Sequence, residues 1–294
     1  MSRILPLAAL CAALLVGACR HATPAASAPP PAPAAAVAAD DNLNAVLWMQ
    51  RSVEYRAVTQ ALYRAAAAQL ERALADPAWD ALAPAERDTP AAGLPPAVIV
   101  DVDETMLDNS PYQARLIRDG IEFDDAGWAR WVAERRAQAI PGAVAFAQAA
   151  HARGITVIYL SNRDEAQQAD TLANLRAAGL PVAEGEVFLG LGTEVPGCAA
   201  RGSDKTCRRQ WVGRHYRVLL QVGDQLGDFV QVPENTPAAR EALLARHGAW
   251  FGERWWVLPN PSYGGWEAAL FDNARDLPRA QRRERKRAAL DTAP

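Results

Sequence analysis

From residue 42 to residue 74, apolar side chains recur at spacings near 3.6. Val46, Leu47, Val53, Val58, Leu62, Leu70 and Leu74 fall on this repeat, with Trp48 and Tyr55 among them, so it predicts one helix. Asp76-Pro77 is its stop signal. Residues 76–96 are Pro-rich and predict an irregular connector. Ala97-Val98-Ile99-Val100 is then apolar without alternation, the pattern of a strand buried on both faces. Similar runs follow at 155–160, 187–189, 217–222 and 255–258. Helical patterns at 142–152, 164–178, 204–216 and 236–247 lie between them. Strands alternating with helices of this length predict βαβ units, and so an α/β fold with a doubly wound, Rossmann-like parallel sheet. The segment 108–141 is too long for a simple crossover. It carries Phe123, Trp128 and Trp131 and predicts a small helical cap-like insertion over the sheet edge.

The ends of the chain read differently. Arg3 gives a positive start, and Ile4 to Val16 is an apolar run of signal-peptide length, short for a transmembrane helix. It closes in Val16-Gly17-Ala18-Cys19, which resembles a bacterial lipobox. On that reading, residues 1–18 are removed and Cys19 is lipidated. The other reading is an ordinary signal peptide with a Cys near its cleavage site. Residues 19–39 are Ala/Pro-rich with little charge and predict a semi-extended tether. Folding begins near Asp40. The tail 276–294 holds the basic run RAQRRERKR (279–287), which reads as a solvated helix end.

Composition narrows the classes. The 294 residues are 50% hydrophobic and 22% charged, which excludes wholesale disorder. A net charge of −3 argues against a nucleic-acid polymer as partner. Of the four cysteines, Cys11 lies in the apolar leader and Cys19 at the lipobox. Cys198 and Cys207 remain, nine apart in a Gly-rich loop. In an exported protein such a pair reads as a disulfide, with two free thiols as the alternative.

Ligands of open parallel sheets bind at the carboxyl ends of the strands. There the chain places Asp101-Val102-Asp103-Glu104-Thr105, Ser161-Asn162-Arg163-Asp164 and Gly223-Asp224-Gln225-Leu226-Gly227-Asp228. Lys205 opens the helical pattern after the third strand. Clustered carboxylates repel one another unless a hard cation neutralises them, and Mg²⁺ prefers oxygen ligands completed by a substrate phosphate. An aspartate can attack phosphorus to give an aspartyl phosphate. A second acid two residues on can protonate the leaving alcohol and then activate water.

These four clusters resemble the signature motifs of the haloacid-dehalogenase (HAD) superfamily, in order. DVDET is similar to DxDxT, Ser161 to the second-motif hydroxyl, Lys205 to the third-motif lysine, and GDQLGD to GDxxxD. Further runs extend the likeness: DVDETMLDNSPY, the aromatic run from Phe123 to Trp131, AIPGAVAF, GSDKTCRR, GDQLGDF and LPNPSYGGWE. Together they resemble the class C acid phosphatases, bacterial lipoproteins of the lipoprotein e type also described as 5′-nucleotidases, over roughly residues 40–275. The resemblance implies a HAD-like phosphatase domain there, with 40–96 as its N-terminal helical part.

The resemblance also implies roles. Asp101 is nucleophile and Mg²⁺ ligand. Asp103 is general acid/base and gives the metal its backbone carbonyl. Asp224 is the third protein ligand. Ser161 and Lys205 bind phosphoryl oxygens. Asp228 supports the metal shell or the lysine, and Asn162 and Arg163 either orient the site, stay solvated or stand behind the residues that touch substrate. Phe123, Trp128 and Tyr263 either stack on an aromatic part of the substrate or pack as core. The expected activity is Mg²⁺-dependent hydrolysis of small-molecule phosphomonoesters, nucleoside 5′-monophosphates foremost. The competing expectation is a surface lipoprotein that binds a nucleotide or haem with vestigial catalysis. Anchoring by lipid to the bacterial envelope, with Arg20 after the Cys pointing to the outer membrane, completes the expectation; a homodimer stays open.

Overall fold

The computed structural model describes residues 39–199 and 202–293. The chain divides into Met1–Ala39 and Asp40–Pro294, and the second unit carries every described element. The signal segment, Cys19 and the linker up to residue 38 lie outside the described residues. The elements run α1 (Leu43–Arg51), α2 (Val53–Ala75), β1 (Pro96–Val100), β2 (Leu107–Asp108), α3 (Ser110–Asp119), α4 (Asp125–Glu134) and β3 (Gln138–Ala139). Then come α5 (Ala143–His151), β4 (Thr156–Asp164), α6 (Gln168–Ala177), β5 (Phe188–Leu191), α7 (Thr206–His215) and β6 (Arg217–Gly223). The unit closes with α8 (Pro237–His247), β7 (Trp255–Val257), α9 (Gly265–Ala268) and α10 (Arg279–Ala288).

Five strands form one parallel sheet in the order β5-β4-β1-β6-β7. The chain moves outward from β1 through β4 and β5, then crosses back to build β6 and β7 on the other side. Its direction therefore reverses at β1, and the carboxyl end of β1 is the switch point where such sheets bind ligands. Ala97 to Val100 are buried on both faces, which is why their sequence shows no alternation.

The helix expected over 42–74 is two helices. Ser52 takes an extended conformation and its hydroxyl accepts from the Tyr55 N–H at 3.0 Å, capping α2. Apolar spacing continues across the break, so the pattern alone conceals it. Along α2, Tyr55, Thr59, Tyr63, Ala66, Leu70 and Ala73 are buried at helical spacing, and the helix packs against α5 and β6. The Pro-rich connector is tied to the sheet. Trp79 Nε1 donates to the Leu219 carbonyl at 2.7 Å, and Gln221 Nε2 and Trp255 Nε1 donate to the Ala81 carbonyl at 2.7 and 2.8 Å.

The insertion between β1 and α5 carries α3 and α4, closed at its base by the short antiparallel pair β2–β3. The basic tail forms α10, a solvent-facing helix with no buried residue, and ion pairs tether it. Arg279 pairs with Asp40, Arg282 with Glu122, and Lys286 with Asp41 and Glu267, so α10 is fastened by acids from three other segments. No described helix is long and apolar enough to cross a membrane.

Candidate active site

The turn after β1 is tight. Met106 and Leu107 N–H both donate to the Val102 carbonyl, at 2.9 and 2.8 Å, and Glu104 N–H donates to the Leu107 carbonyl at 2.9 Å. Glu104 itself has φ 56, in the left-handed region uncommon for residues with a Cβ. Tyr63 on α2 donates its hydroxyl to the Thr105 carbonyl at 2.6 Å and fixes the turn from above.

This turn and the end of β6 bring the expected carboxylates together. One oxygen from each of Asp101, Asp224 and Asp228 lies within 4.8 Å of the others. Lys205, immediately before α7, inserts between two of them. Its Nζ donates to Asp101 Oδ1 at 2.5 Å and to Asp228 Oδ1 at 2.7 Å. The other oxygen of Asp228 accepts the N–H groups of Asp224 and Gln225 at 3.0 and 2.8 Å. Asp224 accepts from Gln225 Nε2 at 2.7 Å and Asn260 Nδ2 at 2.8 Å. Gly223 is required where it stands, because a Cβ there would sit 2.4 Å from the Asp228 side chain.

Burial dominates the electrostatics. It pushes Asp101 up to about 7, assisted by the charges of Asp228 and Asp103 and opposed by Lys205. Asp224 is raised well above the usual carboxylate range by burial and then by Asp228 and Asp101. Burial alone would lower Lys205, but Asp101 and Asp228 outweigh it and raise the ammonium. Buried, mutually repelling oxygen donors with a single lysine between them are the donor set of a hard divalent cation. The residues present fit such an ion.

Asp103 points elsewhere. Its Oδ1 accepts from Arg163 Nε and Nη2 at 2.9 and 2.8 Å and from Asn109 Nδ2 at 2.8 Å. Ser161, fully buried, donates its hydroxyl to Asp103 Oδ2 at 3.4 Å and accepts the Arg163 N–H at 3.0 Å. Asn162 is exposed and turns to α7, where Arg208 Nη2 donates to its Oδ1 at 2.6 Å.

The three aromatic candidates part company. Trp128 is half-buried and lies under the Arg163 guanidinium, 5.4 Å from it, with Tyr112 against its ring at 5.3 Å. Phe123 is 57% exposed at the edge of that cluster, 6.3 Å from Trp128. Tyr263 is half-buried and donates its hydroxyl to Glu104. Cys198 and Cys207 are joined in a disulfide, with Cys207 in the first turn of α7.

Sequence reasoning missed Glu104, Asn109, Gln225 and Asn260 as parts of the site. Burial pushes the Glu104 carboxyl up to about 8, and the Asp103 charge adds to it. All four lie inside the motif runs quoted above, so their segments were visible and their side-chain directions were not.

A doubly wound sheet with aspartates at the ends of β1 and β6 and a lysine between them is a HAD-type α/β arrangement. The family model described as HAD superfamily, subfamily IIIB (acid phosphatase) matches residues 15–266, and the chain belongs to that family. The class C acid phosphatase of Bacillus anthracis is similar in structure, with a TM-score of 0.73 and 30% identity, covering 86% of this chain and 98% of that one. A second structure of that protein, with tungstate bound, matches equally. In sequence, acid phosphatase 1 of Solanum lycopersicum is 29% identical over 166 residues, 56% of this chain and 57% of that protein. The stem 31 kDa glycoprotein of Glycine max is 28% identical over 166 residues, 56% of this chain and 58% of its own length. The chain thus matches little more than half the length of these curated relatives.

Proposed function

We propose that the protein is a phosphomonoesterase that acts through an aspartyl phosphate on Asp101, with nucleoside 5′-monophosphates and aryl phosphates as its substrate class. The observation that carries this reading is Lys205 bridging Asp101 and Asp228 beside Asp224, a nucleophilic carboxylate with its counter-cation at the switch point of the sheet. An Asp101 oxygen attacks phosphorus, and the bond from phosphorus to the ester oxygen breaks. Asp103 gives that oxygen its proton. Asp103 then takes a proton from water as the water attacks phosphorus and breaks its bond to Asp101, which releases phosphate. Lys205 and Ser161 hold the phosphoryl oxygens.

The Asp101 and Asp224 carboxylates and the Asp103 carbonyl would hold a divalent cation, Mg²⁺ by resemblance, with Asp228 holding the lysine. When bound, the ion supplies positive charge against the phosphoryl oxygens. Tungstate is a tetrahedral oxyanion like phosphate, and its presence in the Bacillus anthracis relative supports the reading. Trp128 under Arg163 and Tyr263 bonded to Glu104 are the rings that would meet an aromatic leaving group, with Phe123 at the edge of the Trp128 cluster. Export and lipid anchoring through Cys19 to the outer membrane complete the proposal. The test is phosphate release from nucleoside monophosphates and an aryl phosphate, with Mg²⁺ and with chelator, for the soluble fragment and its Asp101→Asn variant. Metal-dependent release that the variant abolishes is expected. No release from folded, metal-loaded protein would overturn it.

A further inference from the structure

We infer that Glu104 is a positioning residue that latches the ring of Tyr263 to the acid–base group Asp103. The inference rests on the phosphomonoesterase reading above. Glu104 is fully buried, yet it lies outside the three-carboxylate cluster and, among the described residues, bonds no cation. A buried carboxyl is costly unless its oxygens accept hydrogen bonds. Here Oε1 accepts the Asn109 N–H at 2.8 Å, and Oε2 accepts the Tyr263 hydroxyl and, more loosely, Asn109 Nδ2 at 3.4 Å.

Asn109 continues the chain of contacts. Its Nδ2 donates to Asp103 Oδ1 at 2.8 Å, while its Oδ1 accepts from Trp131 Nε1 at 2.8 Å. Tyr263 is therefore connected to Asp103 through Glu104 and Asn109, across 159 residues of sequence between Tyr263 and Glu104. The left-handed backbone of Glu104 agrees with this assignment. Residues with a Cβ adopt that conformation at a cost, and such outliers persist where the surroundings enforce them, commonly at functional sites. Tyr263 in turn is held from behind, because Gln225 Nε2, which donates to Asp224, also donates to the Tyr263 carbonyl at 3.3 Å. The loop that carries the ring is thus referenced to two of the site's acids.

The test compares steady-state kinetics of the Mg²⁺-loaded chain on p-nitrophenyl phosphate and on glycerol 2-phosphate, which has no ring to place. Tyr263→Phe keeps the ring and removes the latch. It is expected to raise KM for the aryl ester about tenfold, the worth of one hydrogen bond, with a smaller rise for the glycerol ester. Glu104→Ala is expected to do the same and also to lower kcat on both esters through Asn109 and Asp103. In the Glu104→Ala background, Tyr263→Phe should add nothing to KM. Glu104→Gln should restore much of the activity, since Oε1 still accepts from Asn109 and the amide can donate to the Tyr263 oxygen. An unchanged ratio of the two KM values in Tyr263→Phe and Glu104→Ala, or a Gln variant as damaged as the Ala variant, would overturn the latch. Wild-type protein that releases phosphate from neither ester would instead overturn the reading beneath it. Circular dichroism of each variant separates misfolding from either outcome.

Discussion

Arg163 sets two nitrogens against a single carboxylate oxygen of Asp103, at 2.9 and 2.8 Å. The arginine side chain is fully buried, and Thr171, Asn109 and Trp128 occupy the rest of its surface. Asp103 is therefore aimed by a group that cannot swing without opening the core beside β4. Lysine at position 163 keeps the charge but not the planar fork. With Asp103 as the acid–base group proposed above, Arg163→Lys is expected to lower kcat by about 10²-fold, the effect of a small misplacement of a reacting group, with little change in KM. Steady-state kinetics decide it, and an unaltered kcat would mean that Asp103 needs no such restraint.

Among the described residues Lys205 is the only cation bonded to Asp101, and its loss leaves two buried carboxylates unpaired. Removing one partner of a buried pair costs about 3–5 kcal/mol. Lys205→Ala should therefore unfold at lower temperature than the parent and release no phosphate. Mg²⁺ should recover part of the melting temperature and none of the activity, because in the proposed mechanism the ion can offset the carboxylate charge but cannot take the lysine's place on the phosphoryl oxygens. A melting temperature equal to the parent's in chelator would contradict the pairing.

The acids of the site also set a pH dependence for the metal-free protein. Asp101 is raised from 3.8 to about 7, and Glu104 from 4.5 to about 8. A group whose folded value is raised favours the folded state when protonated. That contribution is present below the unfolded value and is lost as pH rises through the folded one. In chelator the melting temperature should therefore fall as pH rises from about 4 to about 8. Mg²⁺ needs the ionised carboxylates, so its stabilisation should grow over the same interval. Thermal melts at several pH values, with and without the ion, would show the two trends diverging; parallel curves would reject the assignment.

How much of this was legible in the sequence follows from what generates each pattern. Strands buried on both faces produce apolar runs, so all five parallel strands were readable, as were the aspartates at their ends. The far end of β4 was not read as strand because Ser161 to Asp164 are polar, and their pairing toward β5 outweighs that. The break at Ser52 hid inside a continuous apolar repeat. The ion-pair partners of the basic tail were not readable because they come from distant segments, Asp40 lying 239 residues from Arg279. Glu104 looked like one acid among several; its left-handed backbone and its bonds to Asn109 and Tyr263 leave no mark in the sequence.

The disulfide closes the loop that leads into Lys205, with Cys207 two residues beyond the lysine. Cys198 is half-exposed and open to reductant, while Cys207, in the first turn of α7, is buried. A loop this short contributes about 2–3 kcal/mol when cross-linked. Cys198→Ser with Cys207→Ser should lower the melting temperature accordingly and raise KM for phosphate esters through looser placement of Lys205. Dithiothreitol should reproduce both effects in the parent and neither in the double variant.

Arg209 joins two parts of the structure that sequence reading kept separate. It donates to both oxygens of Glu86 in the connector, at 2.6 and 2.8 Å, and to the Gly227 carbonyl at 2.6 Å in the segment that carries Asp228. Both side chains are buried, at 0% and 4% exposure. Two charges taken out of water add little net stability when paired and do great damage when one is removed. Glu86→Ala should thus cost about 3–5 kcal/mol, and it should also loosen the segment around Asp228, since Arg209, which holds the Gly227 carbonyl, loses its anchor and the Gln231 N–H loses the same acceptor. Replacing both residues with Met tests which effect matters. It removes the uncompensated charge, so stability should return toward the parent value while the hold on Gly227 is still lost. Denaturant unfolding measures the first quantity and kcat the second. A double variant that recovers stability but not kcat would show that the connector, remote from the site in sequence, sets the position of Asp228. Recovery of both would reduce the pair to a buried ion bridge and nothing more.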